Sequence, residues 1–422
     1  MRNPILLLFY ISNSLSIIIL PFKKHNPELK KEKDFLEIFL NNNIILDLKI
    51  GTPMKTIPIK ISLNSHYFFL YGSELNGLYN EKESSSYKNN SDYEIEFQDE
   101  YFNIGFVSSE KLIFKNEKKK NIEYDNINFI LASKNNPSKI NTLNGEIGLT
   151  ILSNSKIQKG NIIYFLKLNN IIQSYIFYIT YNNENGEIFI GDSPENYDKT
   201  YSKDYFKFIP IENMAHSKFN WIIQIDKIYF GNEFIINKIF SINFNIEGLI
   251  LNLDFMKIIE NGFFNKLINE NKCFKLDEKI NNEIFYYFYC VNGIDVSNFK
   301  KVILFNKAIN YNFTFDSKDL FIKKNKQLFF MIIFSSFNKL TLGEVFNKKY
   351  NTLFDQERKL IGFYFGKKSS FSFYWFFIFI LFIIVIFLSY FLYKNIKNRK
   401  LKIKANELED NFSYIPDFKI MK

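Results

Sequence analysis

From Phe371 to Tyr393 the chain runs for 23 residues without a charge, and Lys394, Lys397, Arg399, Lys400, Lys402 and Lys404 follow at once. About 20 apolar residues wound as a helix span the hydrocarbon of a bilayer. Basic residues beside a span stay in the cytosol. This segment therefore decides where the rest must fold: residues 394–422 are expected as a basic cytosolic tail, and everything before 371 outside the cytosol. The other end agrees. Arg2, the apolar run Ile5–Tyr10, a polar break and Ile17–Leu20 read as a secretory signal peptide over residues 1–20. No small-residue pair marks a cleavage site, so an uncleaved anchor is the alternative. Together the two ends predict a single-pass type I membrane protein. Its body would be extracellular or in the secretory or endosomal lumen.

Such a compartment is oxidising. The two cysteines, Cys273 and Cys290, both lie in the exported part, where a disulfide is favoured. The formal charge is +10, of which the segment 391–422 carries +4, with eight basic and four acidic residues. The remainder is too weakly basic to suggest a nucleic-acid surface, and no nucleic-acid partner is expected. Glycine and proline are few (16 and 9) while aromatics reach 18%, which excludes collagen-like and Gly/Pro-rich disordered classes. Runs of Asn and Lys reflect compositional bias, and Glu117–Lys120 reads as a solvated turn.

The body, residues 35–366, reads as mostly β. Short alternating or apolar runs recur between turn signals: Asn43–Ile50, Thr56–Ile61, Tyr93–Phe97, Ile127–Ala132, Ile176–Tyr181 and Ile188–Gly191. Asn185-Gly186 is a hairpin turn signal. Helical apolar spacing is confined to Leu253–Leu267 and to Gly160–Leu168. A long chain of many strands predicts a two-lobed, barrel-like architecture.

Four stretches then occur in a telling order. The first is Ile50-Gly51-Thr52-Pro53, followed without a gap by Ile57–Ser65 and Phe68-Phe69-Leu70, with Ser84–Lys88 further on. Next come Asn144–Leu149, then Phe177-Tyr178-Ile179 with Gly186–Gly191. The last is Leu340–Phe346, Tyr350–Asp355 and Ile361-Gly362-Phe363. The order and spacing resemble the pepsin-like aspartic peptidase family over about residues 40–366. The resemblance implies a mostly β, two-lobed pepsin-like acid-protease barrel, to which the apolar run adds a single C-terminal transmembrane helix. Its lobes would be residues 35–190 and 191–366, and the helix 371–393. It also places Cys273 and Cys290 where the second lobe usually has its disulfide.

In an active member, two aspartates in Asp-Thr-Gly loops face one another across the cleft. Two like charges so close cannot both ionise, so they share a proton over a water. No Asp-Thr-Gly or Asp-Ser-Gly occurs in this chain. Ungapped reading puts Ser62, Leu63 and Asn64 at the first motif, and Asn245, Ile246 and Glu247 at the second. Ser62 and Asn245 thus stand where the catalytic carboxylates are expected. Ser65, Phe97, Tyr101 and Gly248 are the candidate cleft and flap residues. Glu247, Asp99, Glu100 and His66 could in principle take over the chemistry, but solvated or locally bonded side chains are the simpler reading. Three scattered histidines make a metal site unexpected, and no cofactor is called for.

Three functions remain. One is a membrane-anchored relative without catalysis that holds a peptide or protein in its cleft. Another is an active endopeptidase with divergent loops. The last is a structural surface protein that uses its outer faces.

Overall fold

The computed structural model describes residues 17–24, 34–91, 94–98, 102–134, 144–150, 160–182, 185–212, 221–280, 282–336, 340–366 and 373–412. They form two units, a body ending at Gly366 and a C-terminal unit from Lys367. Strands arise where the apolar residues alternate. In Ile44–Ile50 the side chains of Ile44, Leu46, Leu48 and Ile50 are buried while Asp47 and Lys49 are exposed, as a half-buried strand requires.

The strands of the body make two large sheets, of fourteen and eleven strands among the described residues. The first carries the N-terminal lobe, the second the C-terminal lobe. The division at residue 190 is not a clean cut, however. Strands Phe206–Pro210, Thr352–Asp355 and Leu360–Tyr364, from the second half of the chain, return to the first sheet beside Ile176–Asn182. Trp221 fastens the lobes at this seam. Its ring lies edge-on to Phe177 and Phe354, and its Nε1 donates to the Leu149 carbonyl at 3.1 Å.

Two expectations change here. Residues 17–20, assigned above to a signal peptide, belong to the body. Strand Ile18–Lys24 is inserted between Asn185–Ile190 and Ile44–Ile50, with Ile18 opposite Ile190 and Phe22 opposite Leu46. Ile18, Ile19 and Leu20 are buried. A central strand covered on both faces is a continuous apolar run, which is also what a leader core looks like. Residues 1–16 of that reading lie outside the described residues. The hairpin turn also shifts: Asn182 pairs with Asn185 and Tyr181 with Gly186, so Asn185-Gly186 already belongs to the strand. Gly186 is needed for closeness, since a Cβ there would lie 2.2 Å from the Phe22 ring.

The helical patterns hold. Ile162–Leu168 starts at Asn161, whose side chain accepts from Tyr164 N. Leu253–Ile259 continues through a π-helical turn, Glu260–Phe264, into Asn265–Asn269. Cys273 and Cys290 face each other on antiparallel strands Cys273–Ile280 and Glu283–Val291 and form a disulfide, with Cα atoms 3.9 Å apart.

In the C-terminal unit, Phe373–Phe412 is one helix, and its stretch Ile378–Lys404 is long and apolar enough to cross a membrane. Phe379, Phe382 and Phe387 are exposed along it.

Candidate functional site between the lobes

Each lobe presents one sharp loop, and the two are built alike. In the first lobe, strand Lys55–Ser62 runs parallel to Gly145–Gly148, with Ser62 opposite Gly148. The chain turns and returns as Phe68–Tyr71, antiparallel, with Phe68 opposite Ile147. Ser62 Oγ accepts from Asn64 N at 3.1 Å. A Cβ on Gly148 would sit 2.4 Å from the Ser65 carbonyl oxygen, so only glycine lets the loop close over it.

In the second lobe, strand Glu233–Ile242 runs parallel to Leu340–Leu342, with Ile242 opposite Leu342. Its return strand Leu249–Asn252 is antiparallel, with Leu249 opposite Leu342. Asn243 Oδ1 accepts from Asn245 N at 3.0 Å. A Cβ on Gly343 would sit 2.4 Å from the Ile246 carbonyl oxygen.

The residue that repeats Ser62 is therefore Asn243. Asn245, expected there from the sequence, repeats Asn64 instead. The two-residue slip went unseen because a strand has period two, so the displaced register still buries the same faces. One sequence signal could have caught it: Ser62-Leu63-Asn64 and Asn243-Phe244-Asn245 share a polar–apolar–Asn pattern. Leu63 and Phe244, at the middle positions, are both fully buried. Asn245 Oδ1 is buried with no hydrogen-bond partner.

Other candidates are taken up by packing. Ser65 is buried, with its Oγ accepting from Tyr67 N and its carbonyl from Thr150 N. His66 is buried edge-on to Tyr67. Gly248 lies under the helix Asp34–Leu40, where a Cβ would meet the Phe39 ring at 2.6 Å and the Met331 carbonyl at 2.0 Å. That helix buries Phe35, Leu36 and Phe39 in a cluster with Ile246, Tyr287, Phe329 and Met331. Beyond it, Asn42 ties down the second loop, donating from its backbone N to Asn245 O and from Nδ2 to Phe244 O. Phe97 lies in strand Ile95–Gln98, opposite Asn103, in a hairpin with Phe102–Lys115. Tyr101, Asp99 and Glu100 lie outside the described residues.

Glu247 is locally bonded rather than solvated. It is buried behind the loop and accepts from Lys24 Nζ at 2.8 Å and from Lys324 Nζ at 2.9 Å. Glu344, also buried, holds Lys24 at 3.4 Å together with Lys348 and the Asn42 amide. Burial pushes the Glu247 carboxyl up, but Lys24 and Lys324 outweigh it and hold the group below its ordinary value. Burial likewise pushes the Lys24 ammonium down, while Glu344 and Glu247 outweigh it and raise it. A carboxylate fixed ionised between two ammonium groups is a poor proton shuttle.

Between the loops lies a recess of about 140 Å³. Asn64 and Asn243 enter it from the two loops, and Leu40, Ile246 and Phe285 form an apolar wall. Among the described residues its one carboxylate is Glu283, at the tip of the disulfide-closed hairpin, where it accepts from the Ser335 hydroxyl. Glu283 and Asn243 escaped the sequence reading.

Two lobes that each offer a strand-turn-strand loop to a shared cleft define the pepsin-like class. The family model described as eukaryotic aspartyl protease matches residues 46–364, and the chain belongs to that family. Among solved structures, basic 7S globulin from soybean superposes with a TM-score of 0.60 at 12% identity, covering 83% of this chain and 97% of that one. Conglutin gamma, a basic 7S globulin from lupine seeds, gives a TM-score of 0.60 at 14% identity, covering 83% and 95%. At these identities the likeness establishes the fold alone. No curated protein sequence matches the chain.

Proposed function

We propose that this protein is a membrane-anchored member of the family that does not cleave, and that it holds an extended peptide or protein segment in its cleft. The observation that carries this reading is the pair at equivalent loop positions: Ser62 and Asn243 are both neutral. Peptide hydrolysis in this family needs two carboxylates that share a proton, so that one acts as base on a water while the other polarises the carbonyl. A serine and an asparagine cannot divide that work. The buried Leu63 and Phe244 support the same reading, since the hydroxyls that tie active loops together are replaced by apolar groups on both sides. Replacing both partners of a buried hydrogen bond is nearly neutral, whereas replacing one is costly.

The test uses the full chain in detergent micelles with an unfolded protein substrate from pH 3 to 7. No cleavage is expected. Cleavage at acid pH that a transition-state analogue of peptide hydrolysis blocks would establish the alternative, a divergent active endopeptidase. Binding of that analogue, or of an extended peptide, without cleavage separates a retained groove from a scaffold that works only through its outer faces.

A further inference from the structure

Carboxylates in the interior of this body are compensated. Glu247 holds Lys24 and Lys324, Glu344 holds Lys24 and Lys348, and Glu146 lies 3.6 Å from Lys60 Nζ. Glu110 takes the Tyr79 hydroxyl and the Lys111 backbone N–H. Glu283 differs. Half-buried in the recess between the loops, it accepts from the Ser335 hydroxyl and has no cation partner among the described residues. Among the described residues, no basic side chain lines the recess. A carboxylate against an apolar wall, without a counter-charge among the described residues, is set up to receive one from a ligand.

We propose that this recess selects a cationic side chain, lysine or arginine, from a peptide lying in the cleft. The inference rests on the peptide-groove reading above and adds the chemistry of what the groove takes. The wall of Leu40, Ile246 and Phe285 suits the aliphatic stem of such a side chain, which buries its methylenes and carries the charge at its end. The head would meet Glu283. Asn64 and Asn243 supply amide oxygens for the remaining donors, and the Asn243 oxygen, already accepting from Asn245 N, keeps a second lone pair. Glu283 is held at this place by its strand: Phe285 and Tyr286 pair with Ser335 and Phe334, and the disulfide closes the hairpin at its other end.

The probes are N-acetylated hexapeptide amides in three sets, identical except for one residue scanned through all six positions: lysine, arginine or norleucine. Norleucine keeps the stem and removes the charge. Binding to the full chain in micelles is measured by calorimetry at low and at physiological salt. The lysine or arginine set should bind about tenfold tighter than the norleucine set at one position, the scale of a hydrogen bond to a charged group. The advantage should shrink as salt rises. Glu283→Gln should erase it. Equal binding of all three sets, or a preference that survives Glu283→Gln, overturns the cationic recess while the groove stands. If no set binds, the groove reading fails and this inference with it.

Discussion

Lys24 carries an ammonium into the interior of the body, and Glu247 and Glu344 of the second lobe receive it. The cluster joins the first described strand to the loop that bears Asn243, so its charge state bears on the shape of the cleft. The folded carboxyl of Glu247 lies below its ordinary value of 4.5, so its contribution is full above that value and is lost as pH falls through the lower folded one. Lys24 is raised from 10.5, so its contribution is full below that value and is lost as pH rises through the higher folded one. The cluster is therefore complete across the neutral range. Lys24→Met should cost about 1.5–3 kcal/mol at pH 7, the scale of a hydrogen bond to a charged group; Lys324 and Lys348 still serve the two carboxylates. The cost should shrink below pH 4.5 as Glu247 takes up a proton. Urea unfolding of both chains at pH 7 and pH 3 checks this, and a cost independent of pH would assign Lys24 a packing role only. None of this was legible in the sequence, where Lys24 and Glu247 stand 223 residues apart. Ser62 was legible, because Gly51-Thr52-Pro53 fixes its register without a gap. Asn243 was not read, because a two-residue slip buries the same faces; the polar–apolar–Asn pattern it shares with Ser62–Asn64 was the one signal in the sequence, and its place after the strand paired with Leu340–Leu342 decides it.

At the scale of elements, the hairpin of Cys273–Ile280 and Glu283–Val291 matters most for the site. It reaches from the disulfide to the recess and carries Glu283 at its tip. The cysteines are 17 residues apart, and closing a loop of that length contributes roughly 3 kcal/mol by restricting the unfolded chain. Replacing both by alanine should lower stability by about 2–4 kcal/mol in urea unfolding. It should also weaken any lysine preference of the cleft, since the base of the hairpin then frays. Thiol labelling of the unreduced, unfolded protein should find no free cysteine; two free thiols per chain would reject the bridge. Strands with clean alternation, such as Ile44–Ile50, could be read from the sequence because their two faces meet different surroundings. Ile18–Lys24 could not, because burial on both faces erases the alternation that separates a strand from a leader.

For the whole molecule, the proposed anchor raises the question of which side of a membrane the body would occupy. The helix Phe373–Phe412 has one stretch, Ile378–Lys404, apolar enough to span, and its basic residues lie toward the C-terminal end from Lys394 onward. Moving six basic residues across a bilayer is far costlier than leaving them on the side of synthesis, which is the physical content of the positive-inside rule. The disulfide points the same way, since a cytosolic body would be kept reduced. The prediction is a lumenal or extracellular body and a cytosolic tail. In sealed vesicles with the lumen inside, added protease should remove only residues beyond about 394 and leave the body intact until detergent opens the vesicle. Reversing the charge bias tests the cause as well as the outcome. Replacing Lys394, Lys397, Arg399, Lys400, Lys402 and Lys404 by glutamine should produce a fraction of chains whose tail is protected. Digestion of the body in intact vesicles would place it in the cytosol. The recess between the loops would then have to find its ligand there, and the disulfide would need an explanation other than its compartment.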